Sequence, residues 1–259
     1  MKLNLEEIKK YSAAPFDIGG MKRVNFVLSE ISDFVKQHDL NPSDISIIDV
    51  GCGNGSMTLP VGLQAYNILG IDLDESSINE AQRKNNLSNV KFSFCDIKSI
   101  GEKYDIVLCT QVLEHLEQPM QLLKDMNALL KQDGLMIITI PNGFGLSEIM
   151  GRVSKVVKKI ILMLTNIKKE HNSLTTCNNS PHIQFFTKRS FKHLAETSGL
   201  KVVKEGNHTF ILSGLPFNLI WMRLPLSLQK IIERIDNKIA DYMPSFCVCG
   251  WYFSLKKKL

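Results

Sequence analysis

In Asp49-Val-Gly51-Cys-Gly53-Asn-Gly55, glycines stand at alternate positions directly after the apolar run Ser46–Val50. Glycine lets the backbone turn sharply, and a ligand can approach without a Cβ in the way. Asp72 closes the next apolar run, where a carboxylate can accept hydrogen bonds from ribose hydroxyls. Strand, turn and acid together point to an adenosine-containing ligand. The spacing G-x-G-x-G departs from the dinucleotide pattern G-x-G-x-x-G, whose helix start meets a pyrophosphate, so the ligand need carry none. That argues against a nicotinamide oxidoreductase. Glu114-His115 follows the apolar run Tyr104–Thr110, and His182 comes after a long gap. A histidine titrates near neutrality and can serve as a general base. The alternatives are a helix-start histidine bonded to backbone, a helix-start acid favoured by the dipole, and a loop histidine.

These residues need a frame. Short β-rich runs at Ser46–Val50, Tyr66–Ile71, Val90–Phe94, Tyr104–Thr110 and Leu135–Ile140 predict strands. Between them, Ser56 is positioned to cap a helix through Leu63, and Glu75–Asn86 reads as an exposed helix. Leu122, Leu123, Met126, Leu129 and Leu130 recur at helical spacing before an expected stop at Asp133-Gly134. A helix at Lys188–Ser198 and strands at Leu200–Glu205 and Cys247–Leu255 follow. Alternating strands and helices predict an α/β, Rossmann-like, doubly wound parallel sheet. Glu114 and His115 then fall at its carboxyl edge, where ligands bind in open α/β folds.

Two segments break the alternation, 143–181 and 208–244. In the first, Leu146, Ile149, Met150, Val153, Val156, Val157, Ile160, Ile161 and Leu164 share a helical face opposite Arg152, Lys155, Lys158 and Lys159. Such a helix can lie on an anionic membrane or fold as a lid onto its own domain. The second holds Leu215-Pro-Phe-Asn-Leu-Ile-Trp221-Met222 and a helical run near Leu228–Ile239. Both segments leave from the carboxyl edge and are expected to form a helical cap over the acceptor pocket.

Asp49 to Gly55, Gly70-Ile-Asp72, Phe94-Cys-Asp96 and the run Tyr104 to Leu116 resemble successive motifs of class I S-adenosylmethionine-dependent methyltransferases. The stretch from Glu114-His115 to Pro141-Asn142, with His182-Ile-Gln-Phe-Phe-Thr187, is similar to the small-molecule branch that includes ubiquinone-biosynthesis O-methyltransferases. The resemblance covers roughly residues 20–205 and the last strand. It implies a seven-stranded sheet, mostly parallel with an antiparallel last strand, and S-adenosyl-L-methionine as cofactor. By the same resemblance, Gly51, Gly53 and Gly55 border the methionine and ribose, and Asp72 holds the ribose hydroxyls. Leu73 packs on the adenine, Asp96 accepts from its amino group, Ile97 lies beside the ring, and Gln111 lines the methionine end. Asp49 either braces the glycine turn or contacts the cofactor. The implied reaction is methyl transfer, on oxygen, to a small, hydrophobic or lipid-linked acceptor, with His115, Glu114 and His182 as catalytic candidates. In some relatives an acid–His pair here helps to bind a divalent metal. One pair lacks the ligand count a metal site needs, so no metal is expected. A non-catalytic S-adenosylmethionine-binding protein, or a membrane-associated partner of the same fold, is the alternative. The intact glycine turn and both cofactor acids oppose it.

Composition sets the outer bounds. The chain has 259 residues, is 44% hydrophobic and 22% charged, and carries a net charge of +5. These fractions exclude collagen-like, low-complexity and wholly disordered classes. We expect one domain over 1–259. The mild positive charge suits an anionic partner without arguing for nucleic acid. Thr110-Gln-Val-Leu113 stands where methyltransferases acting on nucleobase amino groups show an Asn/Asp-Pro-Pro-aromatic run, which further disfavours nucleic acid. The six cysteines include no CxxC and imply reduced thiols. Met1–Asp17 holds no apolar stretch and predicts no signal peptide. Phe210–Leu228, interrupted by Arg223 and two prolines, falls short of the ~20 apolar residues a spanning helix needs. The expectation is a cytoplasmic protein, with peripheral contact at the inner face of an anionic membrane if the cap binds lipid. The sequence leaves the oligomeric state open.

Overall fold

The computed structural model of the chain describes residues 20–64, 66–145, 182–210 and 224–258. β1 (Ser46–Val50) lies between β2 (Asn67–Asp72) and β4 (Tyr104–Thr110), with β3 (Val90–Phe94) beyond β2. Beyond β4 come β5 (Leu130–Pro141), β7 (Gly250–Lys257) and β6 (Leu200–Asn207), giving the order β3-β2-β1-β4-β5-β7-β6. The first five strands pair in parallel, and β7 runs antiparallel to both β5 and β6. This is the expected Rossmann-like, seven-stranded sheet.

Its central strands read as unbroken apolar runs because both faces are covered. Ile47, Ile106, Leu108 and Ile137 enter the layer shared with Val24, Val27, Ile31 and Phe34 of α1 (Gly20–Gln37). Their neighbours Ile48, Val107, Cys109 and Ile138 enter the opposite layer. There they meet Leu123 and Met126 of α4 (Pro119–Leu129) and Phe191 and Ala195 of α5 (Lys188–Thr197). The remaining helices are α2 (Thr58–Gly62), α3 (Glu75–Lys84) and α6 (Leu226–Tyr242). No helix among the described residues is long and apolar enough to cross a membrane.

The structure revises several boundaries. Ser56 does not cap α2; the cap position is Met57, without a side-chain bond, and the helix begins at Thr58. α4 does not continue to Asp133-Gly134, because the chain passes at Leu130 straight into β5. That Asp-Gly pair lies in an irregularity of the β4–β5 ladder around Asp105, which Lys131 holds at 2.8 Å. A Cβ at Gly134 would come within 2.9 Å of the Asp105 carbonyl, so close strand packing, not a turn, uses this glycine. β7 starts at Gly250, later than the expected Cys247, because Asn142 Nδ2 donates to the carbonyls of Phe246 and Val248 and keeps that stretch a turn. The sequence reading had no place for α1. The basic amphipathic run of 146–164 and Leu215–Met222 lie outside the described residues.

α1 is fastened to the sheet by a buried charge. Glu30 accepts from Ser254 Oγ of β7 at 2.8 Å and pairs with Lys204 Nζ of β6 at 2.5 Å. The Glu30→Ala variant leaves the buried Ser254 hydroxyl without this acceptor and should lose roughly 1–3 kcal/mol in chemical denaturation. Glu30→Gln, which keeps an acceptor, should lose less. An unchanged denaturation midpoint for Glu30→Ala would show that α1 is held elsewhere.

Candidate active site

Because β1 to β5 are parallel, the residues that follow each of them gather at one edge. After β1, the N–H groups of Gly51 and Cys52 donate to the Ile71 carbonyl at 2.8 and 3.0 Å. Gly53 N donates to Asp72 Oδ2 at 2.7 Å, and Asp74 N to Asp72 Oδ1 at 2.9 Å. One carboxylate thus ties the glycine turn to the end of β2. Gly51 has φ +72°, and a Cβ there would stand 2.5 Å from Val112 Cγ2. Gly53 has φ +52° and nothing within 4 Å of where its Cβ would be, so its face is left open. Gly55 packs under the Phe92 ring. Leu73, 69% exposed, stands free of the core beside Asp72. The Asp72 carbonyl accepts from Cys95 N at 3.2 Å, which brings the end of β3 alongside. Asp96 there is exposed and accepts from Lys98 N at 2.9 Å, while Ile97 is buried.

Asp49 is wholly buried, and its Oδ2 accepts from Thr58 Oγ1 at 2.6 Å. The carboxylate thereby links β1 to the start of α2. Its Oδ1 has no hydrogen-bond partner among the described residues. Burial pushes the Asp49 carboxyl up to about 6, with the Thr58 hydrogen bond opposing the shift and the nearby Asp72 charge adding to it.

After β4, Gln111 takes the left-handed conformation, φ +57°, which costs a non-glycine residue free energy and persists only where the surroundings impose it. Thr139 of β5 imposes it: Gln111 N donates to the Thr139 carbonyl at 3.0 Å and Nε2 lies 3.3 Å from Thr139 Oγ1. Glu114 and His115 sit in the 3₁₀ turn Leu113–His115. The Glu114 carbonyl accepts from Ile183 N and Gln184 N at 2.9 and 3.0 Å, which pins the returning segment against this turn. His182 is thereby placed with its ring centroid 4.9 Å from that of His115, edge to face. Glu114 is 1% exposed, and its Oε1 lies 4.0 Å from His115 Nε2.

All the catalytic candidates therefore converge, although His182 is far away in sequence. One ligand atom each from Glu114, His115 and His182 lie within 4.8 Å of one another. The ligand-count objection to a metal, which rested on a lone Glu–His pair, no longer stands. Sequence reasoning missed Thr58, Val112 and Thr139, which shape the site from behind. Thr139 sits in an apolar strand with no signal to mark it, and Val112 matters only because Gly51 lies against it.

The raised Asp49 value carries a testable pH dependence. Between about pH 3.8 and 6 the folded protein holds a proton that the unfolded chain releases, so this group's contribution falls as pH rises. Above about 6 the buried carboxylate is ionised at a net cost. Asp49→Asn keeps an acceptor for Thr58 and removes that cost. Its melting temperature should exceed that of wild type by more at pH 7.5 than at pH 4.5, the gap widening by on the order of 5 °C. A difference that does not change with pH would contradict the buried, ionising carboxylate.

Comparison with known proteins agrees with this architecture. The methyltransferase domain family matches residues 22–205. A ubiquinone biosynthesis O-methyltransferase of Rickettsia bellii (strain OSU 85-389) is 29% identical over 164 residues, 59% of this chain and 68% of the relative. Magnesium protoporphyrin IX methyltransferase from Synechocystis PCC 6803, with bound SAH, superposes with a TM-score of 0.59 at 16% identity, covering 96% of this chain and 91% of that one. The [4+2]-cyclase SpnF superposes at 0.57 with 15% identity, covering 96% and 87%. At such identities the solved structures speak for the fold alone. The family match runs from α1 into β6 and takes in every cofactor motif: this chain belongs to the S-adenosylmethionine-dependent methyltransferases.

Proposed function

We propose that the chain methylates a hydroxyl of a small, hydrophobic or lipid-linked acceptor. The observation that carries the reading is the convergence of Glu114, His115 and His182 within 4.8 Å, at the same sheet edge as the glycine turn. O-methylation is supported by the name of the Rickettsia bellii relative, a ubiquinone biosynthesis O-methyltransferase. Residues 143–181 and 208–244 are read as the cap that encloses the acceptor, and a lipid-linked acceptor would bring the chain to an anionic membrane face.

S-adenosylmethionine supplies an activated methyl group on a sulfonium. The open backbone at Gly53 accommodates its ribose and methionine, with Gly51 and Gly55 shaping the turn. Asp72, already fixed by Gly53 and Asp74, offers its remaining acceptor capacity to the ribose hydroxyls. Leu73, Asp96 and Ile97 frame the adenine, and Gln111 borders the methionine. Asp49 Oδ1, buried and without a hydrogen-bond partner among the described residues, is positioned to take a donor or a water from the methionine end. His115 would take the proton from the acceptor hydroxyl, with His182 against its ring and the Glu114 carboxylate beside it, while the cofactor would give up its methyl group to that oxygen by breaking its C–S bond and leave as S-adenosylhomocysteine.

The same trio supports a second reading. One buried carboxylate and two imidazoles suit a divalent cation, which would polarise the acceptor oxygen and assist loss of its proton. Under that reading Glu114, His115 and His182 act as ligands.

Asp72→Ala should weaken S-adenosylmethionine binding by roughly 1–3 kcal/mol in titration calorimetry, since buried hydroxyls would lose their acceptor. Unchanged affinity in a folded variant would overturn the assignment of Asp72. His115→Ala should lower turnover by about 10² to 10⁴ with cofactor affinity intact. Near-normal turnover would leave His115 a structural role. Dialysis against a chelator separates the two readings: turnover persists if His115 acts as base, and is lost and restored by Mg²⁺ or Zn²⁺ if the trio holds metal.

A further inference from the structure

α6 is docked the wrong way round for a core helix. An amphipathic helix on a globular domain turns its apolar stripe inward. Here the side against the body holds one small apolar residue, Ala240, and otherwise meets its neighbours through polar groups. Asp236 is buried, and its carboxylate accepts from Phe210 N at 3.0 Å. Asn207 at the end of β6 donates to the carbonyls of Ala240 and Met243 at 2.9 and 3.3 Å. Lys22 of α1 reaches across to the Asn237 carbonyl at 3.2 Å and pairs with Asp241 at 2.7 Å.

The outward side carries Leu228, Ile231, Ile235, Ile239 and Tyr242, all exposed. Their spacing of three and four residues places them on one stripe. Tyr242 is 82% exposed, and Phe246, just past the helix end, is 73% exposed. Arg234 and Lys238 are exposed and, by the same helical spacing, flank one edge of the stripe. Of the helix's acids, Asp236 is buried on Phe210 N, Glu233 is half-buried, and Asp241, although exposed, is paired with Lys22. The exposed side therefore combines apolar groups, terminal aromatics and a positive margin.

We propose that α6 is an interfacial helix that rests on an anionic lipid bilayer, its apolar stripe among the acyl chains and Arg234 and Lys238 at the headgroups. The charge pattern favours lipid: apolar residues bordered by Arg and Lys, with interfacial aromatics, match what a headgroup layer presents. The location adds a reason. α6 lies between β6, which is parallel to β5, and the antiparallel β7, so its connections belong to the edge that bears Glu114, His115 and His182. Adsorption there would hold the acceptor side of the domain near the membrane. This names the partner surface for the lipid-linked acceptor proposed above and rests on that reading for its purpose alone.

The test is sedimentation of the full chain, without cofactor or acceptor, with vesicles of phosphatidylcholine alone or mixed with phosphatidylglycerol. Wild type should pellet with the anionic vesicles and stay in solution with the neutral ones. The double variant Ile231→Ser/Ile235→Ser should bind at least ten-fold more weakly, and Arg234→Gln/Lys238→Gln about five-fold more weakly for each charge removed, at low salt. All these positions are exposed, and unchanged melting temperature and S-adenosylmethionine affinity verify folding. Wild type left in solution with anionic vesicles overturns the proposal, as does a folded Ile231→Ser/Ile235→Ser variant that pellets like wild type. A dimer in sedimentation velocity that this variant dissociates, without vesicle binding, would instead assign the stripe to a second copy of the chain. None of these outcomes touches the methyl-transfer reading, which is judged by turnover on acceptors in solution.

Discussion

The hydrogen bond from Gly53 N to Asp72 Oδ2, at 2.7 Å, is the contact on which the rest of the site depends. It joins the turn after β1 to the end of β2, so the glycines and the acid become one object. The bond is possible because β1 and β2 are adjacent, parallel and in register, with Val50 opposite Ile71. The left-handed φ values of Gly51 and Gly53 aim the backbone N–H groups toward β2. An L-residue at Gly51 would meet both an unfavourable φ and the Val112 side chain. Val112 belongs to the turn after β4, next to Gln111. The glycine turn, the acid and the turn after β4 are therefore packed against one another rather than merely neighbours on one edge.

The second organising constraint is the Glu114 carbonyl. It receives two backbone N–H groups from the chain as it returns at Ile183 and Gln184. This small piece of pairing places His182 beside His115, and Glu114's side chain is carried into the interior by the same turn. A buried carboxylate with two imidazoles is a costly group to assemble, since each charge must be compensated in a poorly solvating place. Such arrangements mark chemistry more often than stability.

α6 extends the logic to the periphery. Its inner side is stitched to α1 and β6, while Leu228, Ile231, Ile235 and Ile239 are exposed among the described residues. Burying them would lower the free energy of the helix, at about 25 cal/mol per Å² of apolar surface covered. The fold instead keeps an apolar face exposed on a helix whose connections lie at the sheet edge that bears Glu114, His115 and His182.

Much of this was legible in the amino-acid sequence. The strands Ser46–Val50, Val90–Phe94 and Tyr104–Thr110 lie where the apolar runs put them, because an apolar run bounded by turn residues is buried as a strand whatever its neighbours do. The glycine turn, Asp72 and Glu114-His115 were readable for a similar reason: their chemistry and spacing are local. The sequence could not reveal that Asp133-Gly134 sits inside a strand, because only the approach of the Asp105 carbonyl makes that glycine necessary. Nor could it place Thr58 under Asp49, Thr139 behind Gln111, or His182 against His115. It read a helical run near Leu228–Ile239 but not that its apolar residues face out, since a helical pattern does not say what covers either side. Local patterns are encoded residue by residue. Contacts between distant segments depend on the order and direction of the strands, and only the folded sheet decides them.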